Sequence, residues 1–317
     1  YHWLKPTSWY NNLRINFNNY YSSLYTRFAD QKYDTKFQVY RVNINSNAQL
    51  KNLWFVGMLV GYVPEGNDFY EPHQQGWSFR SPSRLQFNPW FETNTAKRYY
   101  VNFNYFFGQR SLFNSPNHEL DFSHQYRFSN KFSLGHELTY NPTKNDAGFY
   151  SKYYEQDGNG DPVLINGKPV LQDIIFSRRD RKTISNVILV KYSFNNKEGI
   201  VFRARHYWSQ VRQKQLYDLH TDGTLKPTIH TDVQMEHQNY NIFNIDATYT
   251  WEFAPGSFIN IVWKNQAETF DTDIRYEYFK NFGNTVEADQ NNNFSIKVIY
   301  FLDYLTLKRK KPHQERN

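Results

Sequence analysis

Phe243-Asn244-Ile245-Asp246-Ala247-Thr248-Tyr249-Thr250-Trp251-Glu252-Phe253 changes character at every step, apolar at the odd positions and polar at the even ones. In an extended chain successive side chains point to opposite faces, so this stretch makes a strand that is greasy on one side and wet on the other. A strand rising about 3.3 Å per residue and tilted by about 45° crosses a bilayer in roughly 9–11 residues. The segment is long enough to do so.

The pattern recurs outward from there. Tyr99, Val101, Phe103, Tyr105 and Phe107 oppose Asn102 and Asn104; Leu120, Phe122, Tyr126 and Phe128 oppose Asp121, Ser123, Gln125 and Arg127. Ile259, Ile261 and Trp263 oppose Asn260 and Lys264, and Phe294, Ile296, Val298, Tyr300 and Leu302 oppose Ser295, Lys297 and Asp303. Two places fit less cleanly: Val187 and Leu189 fall on the wet side, and the run after Leu53 is apolar on both sides. About twelve such segments are expected, near Leu13, Phe37, Leu53, Leu85, Tyr99, Leu120, Phe132, Ile184, Ile200, Phe243, Phe258 and Phe294.

Connections alternate in length. Tight turns are expected around Asn47, Asn94, Asn130, Asn196 and Pro255, and long loops over 27–36, 64–83, 109–117, 142–182, 209–237 and 267–291. Short turns at one end and long loops at the other are the signature of an all-β, up-and-down antiparallel transmembrane β-barrel, whole or part of a larger one. By this count the first strand begins and the last ends at the short-turn end, so further strands upstream would be even in number. Residues 1–307 are assigned to the barrel region and 308–317 to a basic tail.

Composition agrees. The chain holds 26 Tyr, 27 Phe and 8 Trp, yet its mean hydropathy is −0.82, a pairing that suits aromatic girdles around a polar interior. Phe128, Phe132, Tyr192, Phe194, Trp251, Phe253 and Trp263 are the expected girdle rings. The longest nearly unbroken apolar run, Leu53 to Val63, is too short for a membrane helix. Cysteine is absent, which excludes disulfides and thiolate metal sites. The net charge of +7 is partly concentrated in Lys308, Arg309, Lys310, Lys311 and Arg316. That tail is a docking candidate for outer-membrane or periplasmic proteins.

Chemistry is sparse. Arg203, Arg205, Asp246, Glu252, Lys264, Lys297 and Glu137 are candidates for a charged lumen that filters solutes. Asp218, His220, Asp222, His230, Asp232 and His237 crowd one loop region, with His220, Asp222, His230 and Asp232 as candidate metal ligands, although a polar hairpin is the simpler account. Asp157 to Asp161 starts like a calcium loop, but Pro162 and Lys168 stand where glycine and glutamate are needed. Tyr207 and Trp208 read as rings at the outer end of their strand. No nucleophile elbow, phosphate-cradling loop or nucleic-acid surface is found. No cofactor is called for, and an enzymatic role is not expected.

Three stretches carry a family resemblance: Ala204-Arg205-His206-Tyr207-Trp208-Ser209, Thr250 to Gly256 (Thr-Trp-Glu-Phe-Ala-Pro-Gly), and Phe301-Leu302-Asp303-Tyr304. The chain resembles the C-terminal barrel region of domain-of-unknown-function family 5916. That resemblance implies an outer-membrane protein of the kind found in Bacteroidota, whose members often carry an N-terminal carbohydrate-binding-family-9-like domain. It implies lipid contact and a link to glycan, and brings no catalytic residue. The leading expectation is a channel or uptake component for a solute such as an oligosaccharide. The alternatives are a structural subunit of an outer-membrane complex and a hydrolase active at the rim.

Overall fold

Twelve long strands form where the alternation predicts them: β1 (Tyr10–Arg27), β2 (Tyr33–Leu50), β3 (Phe55–Val63), β4 (Arg84–Glu92), β5 (Tyr99–Arg110), β6 (Ser115–Arg127), β7 (Phe132–Tyr154), β8 (Leu171–Ser193), β9 (Glu198–Leu219), β10 (Gln238–Ala254), β11 (Ser257–Asp271) and β12 (Gln290–Ile299). Each pairs antiparallel with its neighbours in chain order, giving one large up-and-down sheet. The computed structural model describes residues 1–27, 33–302 and 304. Asp303 and the basic tail from Lys308 to Arg316 lie outside the described residues. Among those residues β12 pairs only with β11, while β1 pairs with β2 and with the two-residue strand His2–Trp3, so the sheet is open.

Register converts the sequence alternation into two faces. Val190, Phe202, Ala247, Trp263 and Phe294 form one cross-strand row; one residue along, Leu189, Arg203, Asp246, Lys264 and Asn293 form the next. Directly opposed residues share a face, so the first row belongs to an apolar face and the second to a polar one. Val187 and Leu189 do sit on the polar face, as the sequence indicated. That face satisfies itself through amide and carboxylate rungs. Asn16 Nδ2 donates to Asn45 Oδ1 at 2.9 Å, Asn88 Nδ2 to Asn104 Oδ1 at 2.8 Å, and Thr139 Oγ1 to Asp121 Oδ1 at 2.7 Å. The apolar face stays open: Phe17, Leu85 and Ile296 are 65%, 58% and 60% exposed.

Short connections (51–54, 93–98, 128–131, 194–197 and 255–256) gather at one end of the sheet, where β1 also begins and β12 ends. At Pro255-Gly256 the Pro-Gly order and the positive φ of Gly256 (72°) fit a type II turn, and Glu252 Oε1 accepts from the Gly256 N–H at 3.1 Å.

One expected tight turn and three expected long loops need correction: the turn placed around Asn47 lies at 51–54, because β2 continues to Leu50. The connection placed at 109–117 shrinks to a single turn around Leu112–Asn114, because β5 runs to Arg110 and β6 starts at Ser115. The loop placed at 142–182 is mostly strand, with β7 and β8 paired as far as Tyr154 and Leu171. The loop placed at 209–237 loses its first half to β9, which runs to Leu219. Polar residues hide these extensions, because a ladder needs backbone partners and not a greasy face.

The extensions carry their own core. Phe79, from the 64–83 connection, packs with Ile174, Phe176, Tyr217 and Leu219, flanked by Trp77, Phe113 and Phe149. The Phe79 and Phe176 rings are 5.0 Å apart. The 64–83 segment is also tied down by its backbone: Arg80 N–H donates to Gly223 O at 2.8 Å. Gly223 has φ +82°, and a Cβ there would lie 3.0 Å from Arg80 N. Gly223→Ala is expected to cost about 1–2 kcal/mol locally. Hydrogen exchange should accelerate at the Arg80 amide and stay unchanged at Phe202 and Ala247.

Candidate functional site

At the long-loop end of the polar face a bulge changes which residues look inward. Between Thr143 and Asp146 the β7–β8 register slips, with Asn145 held at φ +53°. The extra residue reverses parity, so Asp146 joins the odd-numbered polar residues of β7 and stands opposite Arg179. Its nearly buried carboxylate meets three guanidinium groups: Arg181 Nε at 2.9 Å, Arg110 Nη1 at 3.3 Å and Arg179 Nε at 3.5 Å.

These groups belong to one wall of a cavity of about 370 Å³ between the sheet and the strapped 64–83 segment. Arg41 and Arg84 line it from the neighbouring strands of the same face, and Asp68, Glu71, Ser81 and Ser115 add to its polar lining. Five guanidiniums meet three carboxylates. Asp68 and Glu71 are engaged by backbone, Asp68 Oδ1 accepting from the N–H groups of Tyr70 and Glu71 and Glu71 Oε1 from that of Phe149. Arg84 and Arg110 are directly opposed on neighbouring strands. Like charges so placed repel. Sequence reasoning missed this cavity because Asp146, Arg179 and Arg181 fell inside a presumed loop, where no face could be assigned. The dense run Arg178 to Lys182 was the available signal.

The predicted lumen residues come together only in part. Arg203, Arg205, Asp246 and Lys264 share a second pocket, also of about 370 Å³, on the same face with Asn244 and Gln266. Lys264 Nζ lies 3.8 Å from Asp246 Oδ1, both exposed. Glu137 joins the Arg205 row through Val187. Lys297 opposes Asn260, nearer the short-turn end. Glu252 is engaged in the Pro255-Gly256 turn and lies away from the pocket.

The histidine-rich region disperses. His230 Nε2 contacts Asp173 Oδ2 at 2.7 Å and its ring stacks on Tyr153, whose hydroxyl donates to Asp232 at 3.1 Å. Asp218 accepts from Thr228 Oγ1 and from the Ile229 N–H, and His237 Nδ1 accepts from the Gln213 N–H. Asp222 accepts from the hydroxyl and the N–H of Thr224, which hold its carboxyl below the usual range, and His220 closes that same turn. Among the described residues no three such groups are placed to hold a metal ion. Asp157 Oδ1 accepts from the N–H groups of Asn159 and Asp161, and Asn166-Gly167, both at positive φ, close the small hairpin Leu164–Ile165/Lys168–Pro169.

Of the rings expected to form a girdle, Phe128, Phe132, Tyr192 and Phe194 make a chain of contacts at the short-turn end, and Trp251 and Phe253 make another with Tyr300. Trp263 departs from this group. It lies mid-sheet, about 20 Å along the strand from Ser257. Trp208 also differs from its expected role as an exposed ring: it is 1% exposed, on the apolar face, whereas Tyr207 lies on the polar face.

Trp208 is buried by a helix the periodicity did not reveal, α1 (Tyr278–Val286). Tyr278, Asn281, Phe282 and Thr285 recur at i, i+3, i+4 and i+7, but only two are apolar. Tyr278 Oη bonds Asn186 and His206, Phe282 packs on His206 and Phe243, and Asn281 bonds Asn239 and Asn241. The helix thereby covers the polar groups of Asn186, His206, Asn239 and Asn241 on the apolar face.

Asp146→Asn removes the one carboxylate that pairs with Arg110, Arg179 and Arg181 among the described residues. It is expected to cost about 3 kcal/mol, read as a lower melting temperature of the detergent-solubilised protein. Arg181→Gln, at a half-exposed position, should cost about 1 kcal/mol or less.

No curated protein matches this chain. A solved structure of the NanC porin, in a rhombohedral crystal form, is similar over 91% of this chain and 99% of its own, at 11% identity and a TM-score of 0.26, a value too low to support an argument. The match to a family model is extensive: it covers residues 1–311, and the chain belongs to the family described as a domain of unknown function, DUF5916.

Proposed function

We propose that β1–β12 cross an outer membrane as the wall of a closed β-barrel, with the apolar face on lipid and the polar face lining a passage for a hydrophilic solute. The observation that carries this reading is the exposed apolar face. Phe17, Ile44, Val60, Leu85, Phe87, Ile188, Phe294, Ile296 and Val298 each expose more than a third of their surface on one side of one sheet. In water such a surface would drive association. In lipid it is the natural exterior of a barrel. Closure, by these strands alone or with others, follows from the same premise, since open edges in hydrocarbon would leave N–H and C=O groups without partners.

The polar face supports passage more than catalysis. Its rungs are Asn, Gln, Thr and carboxylate groups already bonded to one another, able to exchange donors and acceptors with a polyhydroxyl solute such as an oligosaccharide. We therefore read the protein as a non-enzymatic uptake component, with lipid as its surroundings and a glycan-class solute as its cargo.

Two neighbouring substitutions in β10 test the orientation. Ala247→Arg places charge on the apolar face mid-sheet and should cost about 2–4 kcal/mol, lowering the yield of heat-modifiable, membrane-inserted protein. Thr248→Arg, on the polar face, should be tolerated; equal effects would remove the proposed sidedness. Planar-bilayer recordings of the parent protein should show single-channel steps, and an electrically silent protein would overturn passage.

A further inference from the structure

We propose that the arginine-lined cavity binds an oxyanion, a phosphate or carboxylate group, between Arg84 and Arg110, with Arg41 and the Ser115 hydroxyl as further partners. As a statement about solute chemistry it rests on the passage reading, whereas the site itself does not.

Two independent observations point to a missing anion. The first is the charge arrangement. Val63, Arg84, Arg110 and Ser115 follow one another across β3 to β6 in a single row, and Arg41 stands one residue past the pair Val42 and Tyr62 at the same level. Arg84 and Arg110 are direct cross-strand neighbours, a placement that destabilises a sheet unless a negative charge lies between them. Asp146 reaches Arg110 alone of the two. Neither Arg41 nor Arg84 forms an ion pair among the described residues. Arg84 is held in place by Gln86, whose amide, oriented to satisfy its neighbours, accepts from Nε at 3.2 Å and Nη2 at 3.0 Å. Arg41 lies over the Tyr20 ring.

The second is Ser115. It is 1% exposed, it lines the cavity, and its Oγ is buried without a hydrogen-bond partner. An unpartnered buried hydroxyl carries an energetic penalty that a bound acceptor removes. Three forked cations and a hydroxyl donor around one space match the several lone pairs of an oxyanion. Asp146, paired with Arg110, Arg179 and Arg181, offsets part of the repulsion within the guanidinium cluster and leaves Arg41 and Arg84 without a carboxylate partner among the described residues.

Calorimetric titration of the detergent-solubilised full chain with inorganic phosphate, and separately with acetate, tests the site. Binding of at least one is expected, and the preferred probe tells a phosphate from a carboxylate. Arg84→Gln should weaken it about tenfold or more and Ser115→Ala about threefold, while Lys51→Gln, in a short turn at the opposite end, should leave it unchanged. Arg84→Gln also relieves the opposed like charges, so its ligand-free melting temperature should not fall, which separates lost binding from lost folding. Absence of binding to both probes, or an affinity within twofold of the parent in Arg84→Gln, would overturn the proposal. Phosphate binding by a protein that shows no bilayer current would keep the site and discard the passage.

Discussion

Everything in this molecule depends on lateral backbone pairing at a side-chain period of two. A ladder satisfies every interior N–H and C=O group without reference to solvent, and its pleat then sorts side chains onto two faces. Once the register is fixed, a single residue decides which side a charge occupies. Arg203, Asp246 and Lys264 meet on one face, and Phe202, Ala247 and Trp263 on the other, for that reason alone.

The same rule explains what was legible in the sequence and what was not. Where alternation was uninterrupted, as in Phe243 to Phe253, the strand, its faces and its neighbours could all be read. It failed where the chain ceased to alternate greasy and wet. The outer halves of β7, β8 and β9 are polar on both sides or pack on a local core, so 142–182 and 209–237 resembled loops although their ladders continue. At Asn145 one extra residue reverses parity, and no count of odd and even positions could place Asp146 beside Arg179. The helix α1 escaped because half of its buried stripe is Asn and Thr.

Polar groups are treated differently on the two faces. On the polar face, neighbouring side chains bond across strands and remain accessible, as along Asn88, Asn104 and Asp121. On the apolar face, the polar groups near the long-loop end are sealed instead. Trp208 Nε1 donates to Asn239 at 2.7 Å, and Asn239 and Asn241 are closed over by Asn281. Leaving them open to hydrocarbon would cost several times what an open amide costs in water.

In the proposed barrel that sealing decides what the apolar face would present to lipid. Along β7 that side runs from Phe132 to Tyr140, about 26 Å of strand at the usual rise, interrupted by His136, which bonds Asn186. Along β9 the corresponding side carries His206, Trp208 and Gln210 in succession after Phe202 and Ala204. In the proposed barrel this run, left uncovered, would put amides and an imidazole against lipid on the β9–β11 side. The helix covers it by setting Tyr278, Asn281 and Phe282 against the sheet and turning Phe279, 83% exposed, and Val286 outward beside Lys280 and Asn284. In the proposed barrel α1 therefore acts as a patch on the wall, closing over His206, Asn239 and Asn241 with bonds that hydrocarbon could not offer.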